Sequence, residues 1–172
     1  MSANGEIRIR EMLARQEGLE LEAYPDGDGW AIGYGHNFTR GIPNEGDWTV
    51  EFRPIEARDR RMKISVDFAE HLLDLDIRTA QKDLERVFGE EYLKQLFEMS
   101  EARYWALVNM MFNLGQPRFE GFKIMIHFLQ AVHFPAAAME MLDSKAARKL
   151  PGRYRELAVM VYTGRWEEDG RN

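Results

Sequence analysis

An α+β fold is predicted by three features of the 172-residue sequence. Glycines at 27, 29, 33 and 35 interleave with Tyr24, Trp30, Ile32 and Tyr34, which marks short strands and tight turns. After residue 65 the apolar residues fall at helical spacing. One stretch, Ser100 to Leu114, is apolar nearly all round, as a central buried helix must be. The expected molecule is a single domain with a small N-terminal β lobe, about 18–62, and a larger helical lobe, about 1–17 and 63–166, joined by a long helix.

The elements follow in order. Glu6 to Glu17 reads as a helix, with Ile9, Leu13 and Glu17 on one stripe and Gly18 as its stop. Residues 19–36 give the small sheet, turning at Pro25-Asp26-Gly27-Asp28-Gly29. Residues 37–62 are polar and read as a loop with one strand near Trp48–Phe52. Ser65 is an N-cap for a long helix to about Val87, whose apolar face runs through Ala69, Leu72, Leu73, Ala80 and Leu84. Gly115 ends the Ser100–Leu114 helix, and Pro117 prevents its continuation. Further helices are expected over Phe119–Val132, Pro135–Leu142 and Pro151–Tyr162, with Pro135 at a first helical position. Thr163-Gly164 stops the last, and Glu167–Asn172 reads as frayed.

Composition excludes several chemistries. There is no cysteine, so no disulfide framework, thiolate nucleophile or Cys-ligated metal. Lys and Arg number 23 against 29 Asp and Glu, giving −6, which argues against nucleic acid as partner. No apolar run reaches the ~18 residues of a membrane span, so membrane insertion is not expected. The N-terminus has no apolar h-region, so the chain is expected to fold in a cytoplasm. No HExxH, Walker or Rossmann pattern is present, and no metal or organic cofactor is expected.

Glu17 shares its stripe with Ile9 and Leu13, so its carboxylate points toward apolar surface. Partial desolvation favours the protonated form, the property of a general acid. A helix-terminal Glu that reaches back to water is the bland alternative. Asp26 follows nine positions later, and two carboxylates flanking a cleft are what glycoside hydrolysis uses. Pro-Asp-Gly is also plain turn chemistry, and Asp28 is placed to do the same job as Asp26. Asp76 falls on the apolar face of the long helix, where a carboxylate needs a partner. His71, His127 and His133 show no ligand spacing. Asn109 and Asn113 stand in a helix too apolar for unpaired amides.

The run Glu17-Gly18-Leu19-Glu20-Leu21-Glu22-Ala23-Tyr24-Pro25-Asp26, followed by Ile32-Gly33-Tyr34-Gly35-His36, resembles the opening motif of bacteriophage-type lysozymes, the endolysins of glycoside hydrolase family 24. The likeness continues through Leu107–Gly115, Pro151-Gly152-Arg153 and Thr163-Gly164-Arg165-Trp166. It implies a lysozyme-like fold and a muramidase that cleaves the β-1,4 bond between N-acetylmuramic acid and N-acetylglucosamine in peptidoglycan. By it Glu17 is the general acid and Asp26 the carboxylate that activates water, with inversion at the anomeric carbon. His36 and Asp76 are then a structural ion pair between lobes. Tyr34, Gly35, Phe112, Asn113 and Arg153 are substrate contacts. Two departures stand out. Ala31 occupies the place of a Thr whose hydroxyl helps hold the attacking water, and the segment from Asp26 to it is one residue shorter than usual. A slow hydrolase is the expectation. The resemblance further implies a monomer of phage or prophage origin that waits in the host cytoplasm for a holin-type pore and then lyses the bacterium.

Two rival readings use the same residues. A lytic transglycosylase needs one acid/base Glu and no positioned water, so Ala31 does not harm it. A peptidoglycan-binding or phage structural protein keeps the fold without catalysis.

Overall fold

The computed structural model describes residues 3–26, 29–37 and 63–166. Two compact units are present, one of residues Arg10–Asp76 and one of Met1–Ile9 with Ile77–Asn172. Their boundaries fall inside helix α1 (Ala3–Glu17) and inside helix α2 (Val66–Phe88). The expected α+β class is what the chain forms: a three-stranded antiparallel sheet near the N-terminus and nine helices among the described residues.

The Arg10–Asp76 unit is built around that sheet. Strands β1 (Glu20–Asp26), β2 (Gly29–Gly33) and β3 (His36–Asn37) lie in the order β1-β2-β3. Gly18, at φ 74°, ends α1 as expected, its N–H donating to the Ala14 carbonyl at 3.1 Å. Pairing sets Asp26 opposite Gly29, Pro25 opposite Trp30 and Tyr24 opposite Ala31. The irregular stretch of β1 lies before Tyr24. Alternation then sorts the side chains. Ala23 and Ile32 face the first half of α2, where Ile64, Phe68, Ala69 and Leu72 complete an apolar cluster, and Trp30 packs against it. Tyr24, Asp26 and Ala31 take the opposite face. The expected turn at Pro25–Gly29 is narrower than its sequence suggests, because Pro25 and Asp26 still belong to β1. Asp28, and the strand expected near Trp48–Phe52, lie outside the described residues, as do Glu167–Asn172.

Ser65 caps α2 as its sequence promises, accepting from the Phe68 N–H at 3.1 Å. Arg10 reaches from α1 to Asp74 at 2.9 Å and Glu70 at 3.6 Å, exposed pairs worth little individually.

In the second unit, helix α4 (Glu101–Leu114) is the axis, with Ala102 and every residue from Tyr104 to Met111 buried. Full burial of a side chain such as Leu107 or Met110 contributes roughly 1.5–3 kcal/mol. Ser100 caps the helix by accepting from Arg103 N–H at 3.2 Å, and its hydroxyl donates to the Gly164 carbonyl at 2.9 Å. That second bond fastens α4 to the end of helix α9 (Pro151–Thr163), and α9 closes on Gly164 at φ 72°. The core is rich in thioethers: Met110, Met111, Met125, Met141 and Met160 are all at most 1% exposed.

Several helices differ from expectation. Helix α3 (Glu90–Met99) and helix α8 (Lys145–Lys149) are additional. The helix expected over Phe119–Val132 is shorter, α6 (Lys123–Gln130), and Glu120–Phe122 part it from an additional short helix, α5 (Gln116–Phe119). α4 stops at Gly115 as expected and does not continue through Pro117, which instead sits in the first turn of α5, where its missing N–H has no helical partner to lose. Helix α7 (Phe134–Leu142) starts one residue before Pro135, again leaving the proline in the first turn.

The end of α6 carries a backbone anomaly. Val132 N–H bonds the Leu129 carbonyl at 2.9 Å and His133 N–H bonds the Phe128 carbonyl at 2.8 Å, a paired C-cap whose hinge residue is left-handed. Glycine normally fills that place, yet Val132 holds it at φ 60°. Val132→Gly should therefore stabilise the fold by about 0.5–1 kcal/mol, the relief of strain exceeding the extra unfolded-state freedom. The check is a thermal melt, where the midpoint should rise by roughly 2–4 °C.

Candidate active site

Glu17 is the last residue of α1, and its side chain is half-buried. Its Oε2 lies against the turn that joins β2 to β3: a Cβ built on Gly35 would meet it at 3.6 Å. That spacing is ordinary contact, so volume does not demand glycine here. The backbone does, because Gly35 sits at φ 82°. Asp26 ends β1 and is exposed.

What links the two carboxylates is Tyr24, which the sequence reading left without a role. Burial raises the pKa of its phenol, and the charges of Asp26, Glu17 and Glu20, in that order, push the same way. The phenol is thus held neutral among three carboxylates, two of them the sequence-predicted acid and base. Alternation puts Tyr24 and Asp26 on one face of the sheet, and the register puts Ala31 there too. The signal was available in the sequence as Tyr-x-Asp within a strand. An aromatic in a short strand, however, reads first as packing.

Ala31 is fully buried. Tyr34, at the turn beside Gly35, is partly buried and packs against the cluster on α2. His36 in β3 meets Asp76 on α2: Nδ1 lies 2.9 Å from Oδ2 and 3.0 Å from Oδ1. A carboxylate only accepts, so Nδ1 carries the proton and donates. Both residues belong to the Arg10–Asp76 unit, so the contact ties sheet to helix inside that unit. With only 12% of the His36 side chain and 28% of Asp76 exposed, the pair is shielded enough to matter. Asp76→Asn should destabilise by about 1–4 kcal/mol while activity persists at low temperature. Urea or thermal unfolding reads this directly; a variant that melts like the parent would show the pair to be worthless.

The remaining predicted residues lie in the second unit. Asn109 is a satisfied core amide, its Oδ1 accepting from Arg153 Nε at 2.9 Å, and Arg153 is itself buried. Asn113 accepts from the Tyr154 hydroxyl at 3.3 Å. Burial pushes that phenol to about 12, against a smaller opposite pull from Arg153, so it remains a donor. Asn113 also lines an open groove of about 1060 Å³ together with Arg118, Phe122, Lys123 and Lys149. Phe112 beside it is partly buried. Among the described residues no three His, Asp or Glu side chains gather as a metal site would require. No helix among them is long and apolar enough to cross a membrane.

Known proteins resemble this chain along most of its length. The chain is 26% identical over 164 residues to "Probable T4-type lysozyme 1" of Dictyostelium discoideum, covering 91% of this chain and 94% of that protein. It is 25% identical over 171 residues to "Probable T4-type lysozyme 2" of the same organism, covering 93% and 96%. The family model described as phage lysozyme matches residues 14–156, a span that takes in Glu17, Asp26, Tyr24 and the His36–Asp76 pair, and on that match the chain belongs to the phage lysozyme family of glycoside hydrolases.

Proposed function

We propose that this protein is a muramidase that hydrolyses the β-1,4 bond between N-acetylmuramic acid and N-acetylglucosamine in peptidoglycan. The observation that carries the reading is the placement of Glu17 at the end of α1, against the Gly35 turn, with Asp26 at the end of β1 on the face that carries Tyr24. Glu17 gives its proton to the glycosidic oxygen as the C–O bond breaks. Asp26 takes a proton from the water whose oxygen bonds to the anomeric carbon. Attack from the opposite face inverts that carbon. The two carboxyl groups then exchange protons with solvent, and neither metal nor organic cofactor enters. Tyr34 and Gly35, in the unit that holds Glu17 and Asp26, are assigned to substrate contact. Ala31 brings no hydroxyl to the attacking water, which makes the enzyme a slow one.

Product chemistry tests the reading. Purified peptidoglycan is digested and the released muropeptides are separated by mass. Reducing N-acetylmuramic acid ends support hydrolysis. Ends with a 1,6-anhydro bond, 18 mass units lighter by loss of one water (about the mass any dehydration removes), overturn it in favour of a lytic transglycosylase. Sedimentation with peptidoglycan but no release of fragments overturns it in favour of a binding protein.

A further inference from the structure

We infer that the Tyr24 hydroxyl is the second hydrogen-bonding group for the attacking water, standing in this chain where residue 31 offers none. The inference rests on the proposed hydrolysis and names the residue that makes it workable.

A water that is to attack needs more than a base. One carboxylate fixes a single hydrogen bond and leaves the oxygen free to swing; a second fixed partner restricts it to the attacking direction. Ala31 cannot be that partner, since a methyl group neither donates nor accepts.

The register supplies the substitute. Tyr24 is directly opposite Ala31, which sets their Cβ atoms about 4.5–5.5 Å apart on one face. Asp26 is two residues further along the same strand and so projects on that face as well. Tyr24 is half-buried, whereas Ala31 is fully buried. Only residues 27 and 28 separate the Asp26–Gly29 pair, so the short connection itself sets Tyr24 across from Ala31. A one-residue slip of either strand would turn the phenol or the methyl to the opposite face. A phenol is protonated at neutral pH and can both accept from water and donate; burial first, and then the charges of Asp26, Glu17 and Glu20, shift it further that way.

A double-mutant cycle tests this, with kcat and KM measured on soluble peptidoglycan fragments and melting recorded for each protein. Tyr24→Phe keeps the ring, so it should fold and melt close to the parent. Its kcat should fall about 10- to 100-fold with KM little changed, as expected for loss of one bond to the attacking water. Restoring a hydroxyl at position 31 should then rescue it. Ala31→Thr in the Tyr24→Phe background should recover most of the lost rate, but in the parent should gain only a few-fold. Because Ala31 is sealed, Thr risks overpacking, and Ala31→Ser is run in parallel as the smaller hydroxyl. Unequal gains in the two backgrounds support the inference. A Tyr24→Phe protein with parental kcat overturns it, as do equal gains in both backgrounds or a loss confined to KM. Failure of the hydrolysis reading looks different: the parent itself then yields no reducing ends, and Tyr24 has no water to hold.

Discussion

Glu17→Gln should abolish most lytic activity and leave the fold in place. Gln matches the shape of Glu but has no proton to give, so the leaving sugar oxygen must depart as an alkoxide. Loss of general acid catalysis costs about 10²- to 10⁴-fold. Glu17 closes α1, and the C-terminal end of a helix is the unfavourable end for negative charge, by about 0.3–1 kcal/mol for a surface group. Neutralising it should therefore cost little folding stability. The measurement is clearing of permeabilised cells by parent and variant at equal folded concentration, checked by circular dichroism. Near-parental clearing by a folded Glu17→Gln protein would remove Glu17 from the mechanism.

The second large effect concerns Asp26. Asp26→Asn should lower the hydrolytic rate about 10²-fold or more, because an amide cannot take the proton of the attacking water. Asp28→Asn should change it little. The distinction rests on backbone geometry: Asp26 is held in β1 by its pairing with Gly29, on the face that carries Tyr24. That fixed direction is what a base needs in order to meet a water anchored by Tyr24. Comparing both variants on the same peptidoglycan fragments decides the assignment. If Asp28→Asn is the damaging change and Asp26→Asn is silent, the base lies two residues further along.

The helices that were legible in the sequence are those with both a stripe and a punctuation mark. α2 has Ser65 before its Ala69–Leu72–Ala80–Leu84 face, and α9 runs from Pro151 to Gly164. α3 and α8 escaped because their sequences, EEYLKQLFEM and KAARK, are charged and short, leaving two buried leucines and one buried alanine as the apolar signal. α5 escaped for a different reason. A proline after a helix looks like a barrier, but in the first turn of the next helix it is no obstacle. At the site, the spacing from Glu17 to Asp26 was readable as a motif, and so was the need of Asp76 for a partner. The alignment of Tyr24 with Ala31 was not, since register between strands is a long-range property that neither strand carries alone.

The thioether core gives the protein an uneven response to oxidants. With no cysteine in the chain, methionine is its principal sulfur target. Met139 and Met99 stand out at 71% and 52% exposed, whereas Met110, Met141 and Met160 have no exposed surface. Among the described residues, peroxide thus meets Met139 and Met99 first, where a polar sulfoxide is already in water. The inner sulfurs become reachable only when the helical unit opens. Each inner sulfoxide then puts a polar group where the refolded core has no partner for it, so oxidation during unfolding is cumulative while oxidation of the folded protein is benign.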